Sequence, residues 1–232
     1  MKCNFSGVSA KYDTLVNEYA DKSHNYISNK KETDIFLSLL PENALILDAG
    51  CGPGNFTHYF RAKKFGYIGI DFSKEMLKFA KKEYCDANFA CMDLRKLGFR
   101  KAAFDGIYLS YSFLHIPKKD AKSAIMGFKN IMRPGGAIML VLKEGRGEKP
   151  IGINAKPDMG IEHSLWTLPE MKKLLRACGF EINYGDRWMP TAKKPNALIM
   201  MLKKLVLKRE EKPKCDITAN HGTLCIIARK RK

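Results

Sequence analysis

Three residue types stand at spacings that could hold and activate a small ligand: glycines at 50, 52 and 54, aspartates at 48, 71 and 93, and histidines at 115 and 163. The glycines lie in the stretch ALILDAGCGPGNFTHYF, Ala44 to Phe60. It begins with the apolar run Ala44 to Leu47, the composition of a strand buried on both faces, and continues as Phe56, Tyr59, Phe60 on helical spacing. Glycines between a strand and a helix let the chain turn sharply and let a ligand approach the backbone, beside helix N–H groups that lack partners of their own. A dinucleotide fingerprint needs a third glycine at position 55, which is Asn here, and no Lys-Ser/Thr pair follows the loop as in a phosphate-binding P-loop. Asp71 lies 21 residues past Gly50, about where a second parallel strand delivers a carboxylate to ribose hydroxyls. Asp48 is read as organising the glycine loop.

The elements that must position these groups alternate. After the first strand, loop and helix come a strand over residues 66–70 ending at Asp71, and a helix capped by Ser73 with Met76, Leu77 and Ala80 on one face. A third strand, Asn88 to Met92, ends at Asp93, and a fourth, Phe104 to Ser110, leads into Tyr111. A helix from about Lys119 to Met132 and a fifth strand, Ala137 to Leu142, follow. Such alternation implies right-handed crossovers and a mostly parallel sheet covered on both faces, with ligands beyond the carboxyl ends of the strands. Asp48, Asp71, Asp93 and Ser110 all stand at those ends. Further on, Glu144 to Ile161 reads as a long loop on the ligand side. Thr167 and Glu170 form a capping box opening a helix, and strands are expected at Phe180 to Trp188 and Thr223 to Ala228. At the other end, Tyr12, Leu15, Val16 and Tyr19 share one helical face, a lid over the loop in which Tyr19 supplies an aromatic wall or packs in the core. Thr33 is expected to cap a second helix that Pro41 ends.

Composition bounds the function. A chain of 232 residues with 45% hydrophobic and 28% charged residues has the make-up of a soluble globular protein with a sizeable core. Seven cysteines without a C-x-x-C pair suggest reduced thiols in a cytoplasm and give metal binding no support. No long apolar run follows Met1, so no secretory signal is expected, and no apolar run has the length of a spanning helix. The net charge is +17, and residues 190 to 232 hold 12 Lys and Arg against three acids. That stretch is either a solvated lysine-rich surface or an attractor for nucleic acid or an anionic membrane.

Together these motifs resemble those of the class I S-adenosylmethionine-dependent methyltransferases of the small-molecule type. Leu47 to Gly54 resembles the family's first motif, Gly69 to Ser73 the second and Asp93-Leu94 the third. Ser112 to Pro117, and Arg133 to Gly136 with the strand after it and Lys143-Glu144-Gly145, are similar to one subgroup. The resemblance implies an α/β, doubly wound, mostly parallel seven-stranded sheet with helices on both faces, Rossmann-like. It spans residues 41–189 and 223–232, with an N-terminal helical lid over 1–40 and a basic helical insertion over 190–222. It implies S-adenosylmethionine as cofactor: main chain near Gly50 and Gly52 cradles the methionine part, Asp71 binds the ribose and Asp93 the adenine amino group. Asp48, Phe72, Met92, Leu94, Ser110 and Tyr19 complete that set. The implied reaction is in-line methyl transfer to a small-molecule acceptor. His115 is the titratable candidate for a base, or a structural histidine before Pro117. Tyr111, His163 and Trp166 are read as facing the acceptor, or as packing. Tyr12, Tyr19 and Tyr111 offer aromatic faces to a cationic sulfonium, or pack ordinarily.

Two other readings stay open: an RNA or protein methyltransferase using the basic C-terminal region, and a cofactor-binding module without turnover. Against the nucleic-acid version, no Asn-Pro-Pro-Tyr-like motif follows the fourth strand. Asn196 to Arg209 reads as a helix packed on the sheet or as a membrane- or partner-docking segment.

Overall fold

The computed structural model describes residues 7–17, 19, 29–153, 156–188 and 222–231. Residues 190–221, and with them the expected helix from Asn196 to Arg209, lie outside the described residues. The elements are α1 (Val8–Asp13), α2 (Lys30–Ser38), β1 (Leu45–Ala49), α3 (Thr57–Ala62), β2 (Gly66–Asp71), α4 (Lys74–Glu83), β3 (Asn88–Cys91) and β4 (Phe104–Ser110). A 3-10 turn (Phe113–His115), α5 (Lys118–Ile131), β5 (Met132–Lys143), β6 (Glu148–Ile153), β7 (Lys156–Ser164), α6 (Leu168–Ala177), β8 (Phe180–Trp188) and β9 (Thr223–Lys230) follow.

Seven strands form one sheet in the order β3-β2-β1-β4-β5-β9-β8. β1 pairs in parallel with β2 and β4, β2 with β3 and β4 with β5, whereas β9 runs antiparallel to both β5 and β8. The expected doubly wound, mostly parallel seven-stranded sheet is the observed one. Its central strands are apolar on both sides because both sides are covered. Ile107, Leu109, Leu140 and Leu142 face a core closed by α5 and α6, through Ile125, Phe128, Met171 and Leu175. Ile46, Tyr108, Met139 and Val141 face a second core closed by α2, α3 and α4, through Phe36, Phe60, Leu77 and Ala80.

Local signals set several boundaries. The Ser73 side chain caps α4 by accepting from the Met76 N–H, and Thr167 with Glu170 makes a reciprocal capping box at α6. Thr33 is not a cap. α2 starts at Lys30 after Asn29, and the Thr33 hydroxyl donates back to the Asn29 carbonyl at 2.9 Å while also meeting the Tyr108 hydroxyl at 3.1 Å. A threonine bonded to the carbonyl four residues earlier is compatible with a helix interior. The first helical stretch is interrupted at Thr14 and Leu15, where α1 ends and the Thr14 hydroxyl donates to Lys11 O, and helical backbone resumes at Val16, with the Tyr19 N–H donating to Leu15 O at 3.0 Å.

The larger departure is at residues 144–161, expected as a loop. Most of it forms the antiparallel hairpin β6–β7, with Glu148 opposite Ser164 and Lys149 opposite His163. Gly and Lys have weak strand preference, so the local sequence conceals it. The hairpin buries Ile161 against Leu15 in a small cluster with Val8, Tyr12 and Tyr19. Tertiary burial outweighs local propensity there.

Candidate active site

The glycine loop is fastened from below. One carbonyl, that of Ile70 on β2, accepts from both the Gly50 and Cys51 N–H groups, at 2.7 and 3.0 Å. The Asp71 carboxylate then ties three segments together. Its Oδ2 accepts from Gly52 N–H at 2.9 Å and its Oδ1 from Ser73 N–H at 2.8 Å, so the loop after β1 and the start of α4 hang on one side chain. Asp71 is buried, and burial pushes its pKa up to about 6 although those N–H groups favour the ionised form.

Two glycines of the loop face different surroundings. Gly50 has φ +85° and presses on Ser112, where an added Cβ would come within 2.2 Å of the Ser112 Cβ. The Ser112 hydroxyl in turn donates to the Ala49 carbonyl at 2.5 Å. Gly52, at φ +54°, has nothing within 4 Å of where a Cβ would stand. One glycine is needed for packing, the other opens onto space. Asp48 lies deeper, 1% exposed, and accepts from the Tyr67 hydroxyl at 3.0 Å. Burial raises its pKa to about 7. The loop's own anchors are therefore the Ile70 carbonyl and Asp71.

At the end of β3, Asp93 accepts from the Arg95 backbone at 2.8 Å and from the Arg95 guanidinium at 3.1–3.2 Å. Met92 and Leu94 flank it; Leu94 is buried, and the Met92 sulfur accepts from Gly98 N–H at 3.4 Å. Ser110 ends β4, and Tyr111 after it adopts φ +53°. That left-handed conformation costs a bulky residue roughly 1–3 kcal/mol. The Tyr111 N–H donation to Val141 O at 2.9 Å and its hydroxyl's bond to Thr223 at 3.0 Å hold it there.

Above the strand ends sits an aromatic group drawn from four parts of the chain. The Tyr12 ring meets Tyr19 and Phe72 edge-on at 5.8 Å and His115 at 5.3 Å; His115 meets His163 of β7 at 4.9 Å. The Tyr12 hydroxyl shares a 2.9 Å hydrogen bond with His115 Nε2. Burial, assisted by the nearby Lys143 charge, pulls the His115 pKa down to about 3. Such an imidazole stays neutral at ordinary pH and is a weak proton acceptor. Burial drives the Tyr12 phenol well above its ordinary range.

Three consecutive side chains of α1 hold this cover. Lys11 Nζ donates to Gly160 O at 2.7 Å, Tyr12 bonds His115, and Asp13 Oδ1 accepts from the Ser73 hydroxyl at 2.5 Å. Tyr19, Phe72, His115 and His163 are thus brought together over the ends of β2 and β4. Trp166 is placed elsewhere: it packs in the main core near Phe113, with the Lys118 ammonium 4.6 Å from its ring. Asp13 and Lys11 had no sequence signal, and Ser112 entered only as the first residue of the Ser112–Pro117 motif, with no role in the glycine loop. Their partners lie 60, 149 and 63 residues away, so only the fold reveals them.

Residues 46–136 match the sequence profile of a methyltransferase domain. The profile covers β1 through the first residues of β5, the span that carries the glycine loop, Asp71, Asp93 and His115. Among curated proteins, a malonyl-[acyl-carrier protein] O-methyltransferase of Pseudescherichia vulneris is 30% identical over 138 residues, 58% of this chain and 53% of the relative. A dTDP-3-amino-3,4,6-trideoxy-alpha-D-glucopyranose N,N-dimethyltransferase of Streptomyces venezuelae is 28% identical over 126 residues, 53% of this chain and 52% of that one. The chain spans about half the length of the curated relatives it matches. Among solved structures, Burkholderia thailandensis 1,6-didemethyltoxoflavin-N1-methyltransferase, with bound 1,6-didemethyltoxoflavin and S-adenosylhomocysteine, superposes with a TM-score of 0.69. That match is at 19% identity, over 98% of this chain and 88% of that one. At that identity the likeness concerns the fold.

No helix among the described residues is long and apolar enough to cross a membrane, and no cluster of potential metal ligands occurs among them.

Proposed function

We propose that this chain is an enzyme that binds S-adenosylmethionine and transfers its methyl group to a small-molecule acceptor. The observation that carries the reading is the glycine loop. Gly52 leaves open space next to Asp71, at the carboxyl ends of β1 and β2, inside the span that matches a methyltransferase domain. The donor set fits the cofactor. Asp71 spends one lone pair on each of two N–H groups, and an ionised carboxylate has further ones to offer a ribose diol. Asp93 would take the adenine amino group, and Phe72, Met92 and Leu94 its faces. Ser110 and the backbone at Gly50 and Gly52 would border the methionine part.

When bound, the cofactor supplies an electrophilic methyl carbon on a cationic sulfur. The chain's own task is placement, since alignment of two reactants can account for roughly 7–11 kcal/mol of a barrier. Tyr12, Tyr19 and Phe72 present aromatic surface above the strand ends, which favours a nearby cation by roughly 0.5–2 kcal/mol. His115, neutral and bonded to Tyr12, acts as a positioning group for the cover and not as the base. In this reading the N-terminal segment is a lid, and α1 is the part of it clasped to Ser73, His115 and Gly160. The names of the relatives include both O- and N-methyltransferases.

Isothermal titration with S-adenosylhomocysteine tests the reading. The wild type should bind, and Asp71→Ala should weaken binding by about a hundredfold, roughly 2.7 kcal/mol. Equal binding by a folded Asp71→Ala chain would refute the assignment of the pocket.

A further inference from the structure

We propose that α1 is the gate for cofactor exchange, with Asp13 as its latch. This deepens the methyltransferase reading and rests on it. In the sheet β1 lies between β2 and β4. The glycine loop after β1 therefore has Ser73, past the end of β2, on one side and His115, past the end of β4, on the other. α1 is bonded to both, through Asp13 to the Ser73 hydroxyl at 2.5 Å and through Tyr12 to His115 Nε2 at 2.9 Å. It bridges the loop. Consecutive helical residues point about 100° apart, which is how two neighbours in sequence reach different sides.

Each anchor is itself tied to the loop. Ser73 N–H donates to Asp71, whose other oxygen accepts from Gly52 N–H. On the far side, the turn carrying His115 starts from Ser112, whose hydroxyl donates to Ala49 O at 2.5 Å. The Asp13 tie is the stronger of the two. Its Oδ1 also receives the Glu75 N–H at 3.4 Å, at the start of the ten-residue α4, where the helix dipole favours negative charge. The bond between Tyr12 and His115 joins two neutral groups, which is the weaker kind.

α1 is built to come away. It has six residues, none of them fully buried, and no side-chain cap. A helix that short has almost no stability of its own, so its side-chain ties decide how often it lifts. Lys11 on Gly160 O and Leu15 against Ile161 join this segment to the hairpin. Opening across the loop needs the Asp13 and Tyr12 bonds to break and the Tyr12 ring to leave Phe72. Such a gate sets rates and not affinity. Where the latch holds equally in the empty and the loaded chain, weakening it raises association and dissociation together.

Surface plasmon resonance of the full chain with S-adenosylhomocysteine reads both rates. Asp13→Ala should raise the association and dissociation rates by about tenfold each, with Kd within about threefold of wild type. Asp13→Asn keeps an acceptor for Ser73 but loses the charge, and its rates should fall between those two. Tyr12→Phe keeps the ring and loses the hydroxyl, so it repeats the test at the other anchor, where both rates should rise by less than in Asp13→Ala. Unchanged rates in either Asp13→Ala or Tyr12→Phe overturn the gate. So does faster dissociation alone with a matching loss of affinity, which would make Asp13 a support of the bound cofactor. Absence of binding by the wild type would instead overturn the methyltransferase reading, and is seen before any variant is made.

Discussion

Alanine at position 50 and alanine at position 52 should fail in different ways, although the residues are two apart and both have positive φ. At Gly50 the left-handed conformation costs an alanine roughly 1–2 kcal/mol. The new Cβ also falls 2.2 Å from the Ser112 Cβ and 2.8 Å from its Oγ. The Ser112 Cβ moves only with its backbone, and that backbone leads into the turn holding Phe113 and Leu114 in the core. Overpacking of this kind costs roughly 1–3 kcal/mol, so Gly50→Ala should lose roughly 2–5 kcal/mol of stability. At Gly52 only the backbone term applies, roughly 1–2 kcal/mol, since the space is open. That same Cβ projects where the cofactor would pass, and should weaken S-adenosylhomocysteine binding by at least about tenfold. Urea denaturation measures the first effect and isothermal titration the second. A Gly50→Ala chain within about 1 kcal/mol of wild type would refute the packing against Ser112. A folded Gly52→Ala chain with wild-type affinity would refute the loop as cofactor cradle.

Buried carboxyls give a pH signature. Asp48 and Asp71 have folded pKa values raised to about 7 and about 6, so the folded chain retains protons that the unfolded chain has already released. Their contribution to stability is full below the ordinary carboxyl range and declines as pH rises to about 7; urea midpoints at acidic and neutral pH should show a smaller decline in Asp48→Asn. Because a ribose diol would need ionised Asp71, S-adenosylhomocysteine affinity should fall as pH drops below about 6, and titrations at three pH values would check it. Asp13→Ala removes the link from α1 to Ser73, and hydrogen exchange of α1 amides should accelerate by about tenfold, for a charge-assisted bond of roughly 1.5–3 kcal/mol partly offset by water. Thr167→Ala should lower stability by about 1 kcal/mol through the lost capping box, as measured by thermal unfolding.

The sheet was legible because its signals are local. Apolar runs ending in Asp48, Asp71 and Ser110, a capping Ser73 and the Thr167–Glu170 box each announce an element within a few residues. The hairpin at Glu148–Ile153 and Lys156–Ser164 was not legible. Its strand character depends on Ile161 meeting Leu15, some 146 positions away, and not on residue preference. Thr33 misled for a related reason: a threonine near a helix start reads as a cap, but here it bonds back to Asn29 and across to Tyr108.

What sequence determined by itself was the frame of the site: a glycine turn between a strand and a helix, with acids at the ends of successive parallel strands. Those features follow from steric permissiveness and strand periodicity, which act over a handful of residues. What only the tertiary structure decided was which glycine packs and which one opens, and that Asp71 is shared between the loop and α4. It also decided that Tyr12, His115 and His163 meet while Trp166 does not join them. Those facts depend on burial and on contacts between distant segments, and so does the neutrality of His115, since the same imidazole exposed to water would titrate near its ordinary value.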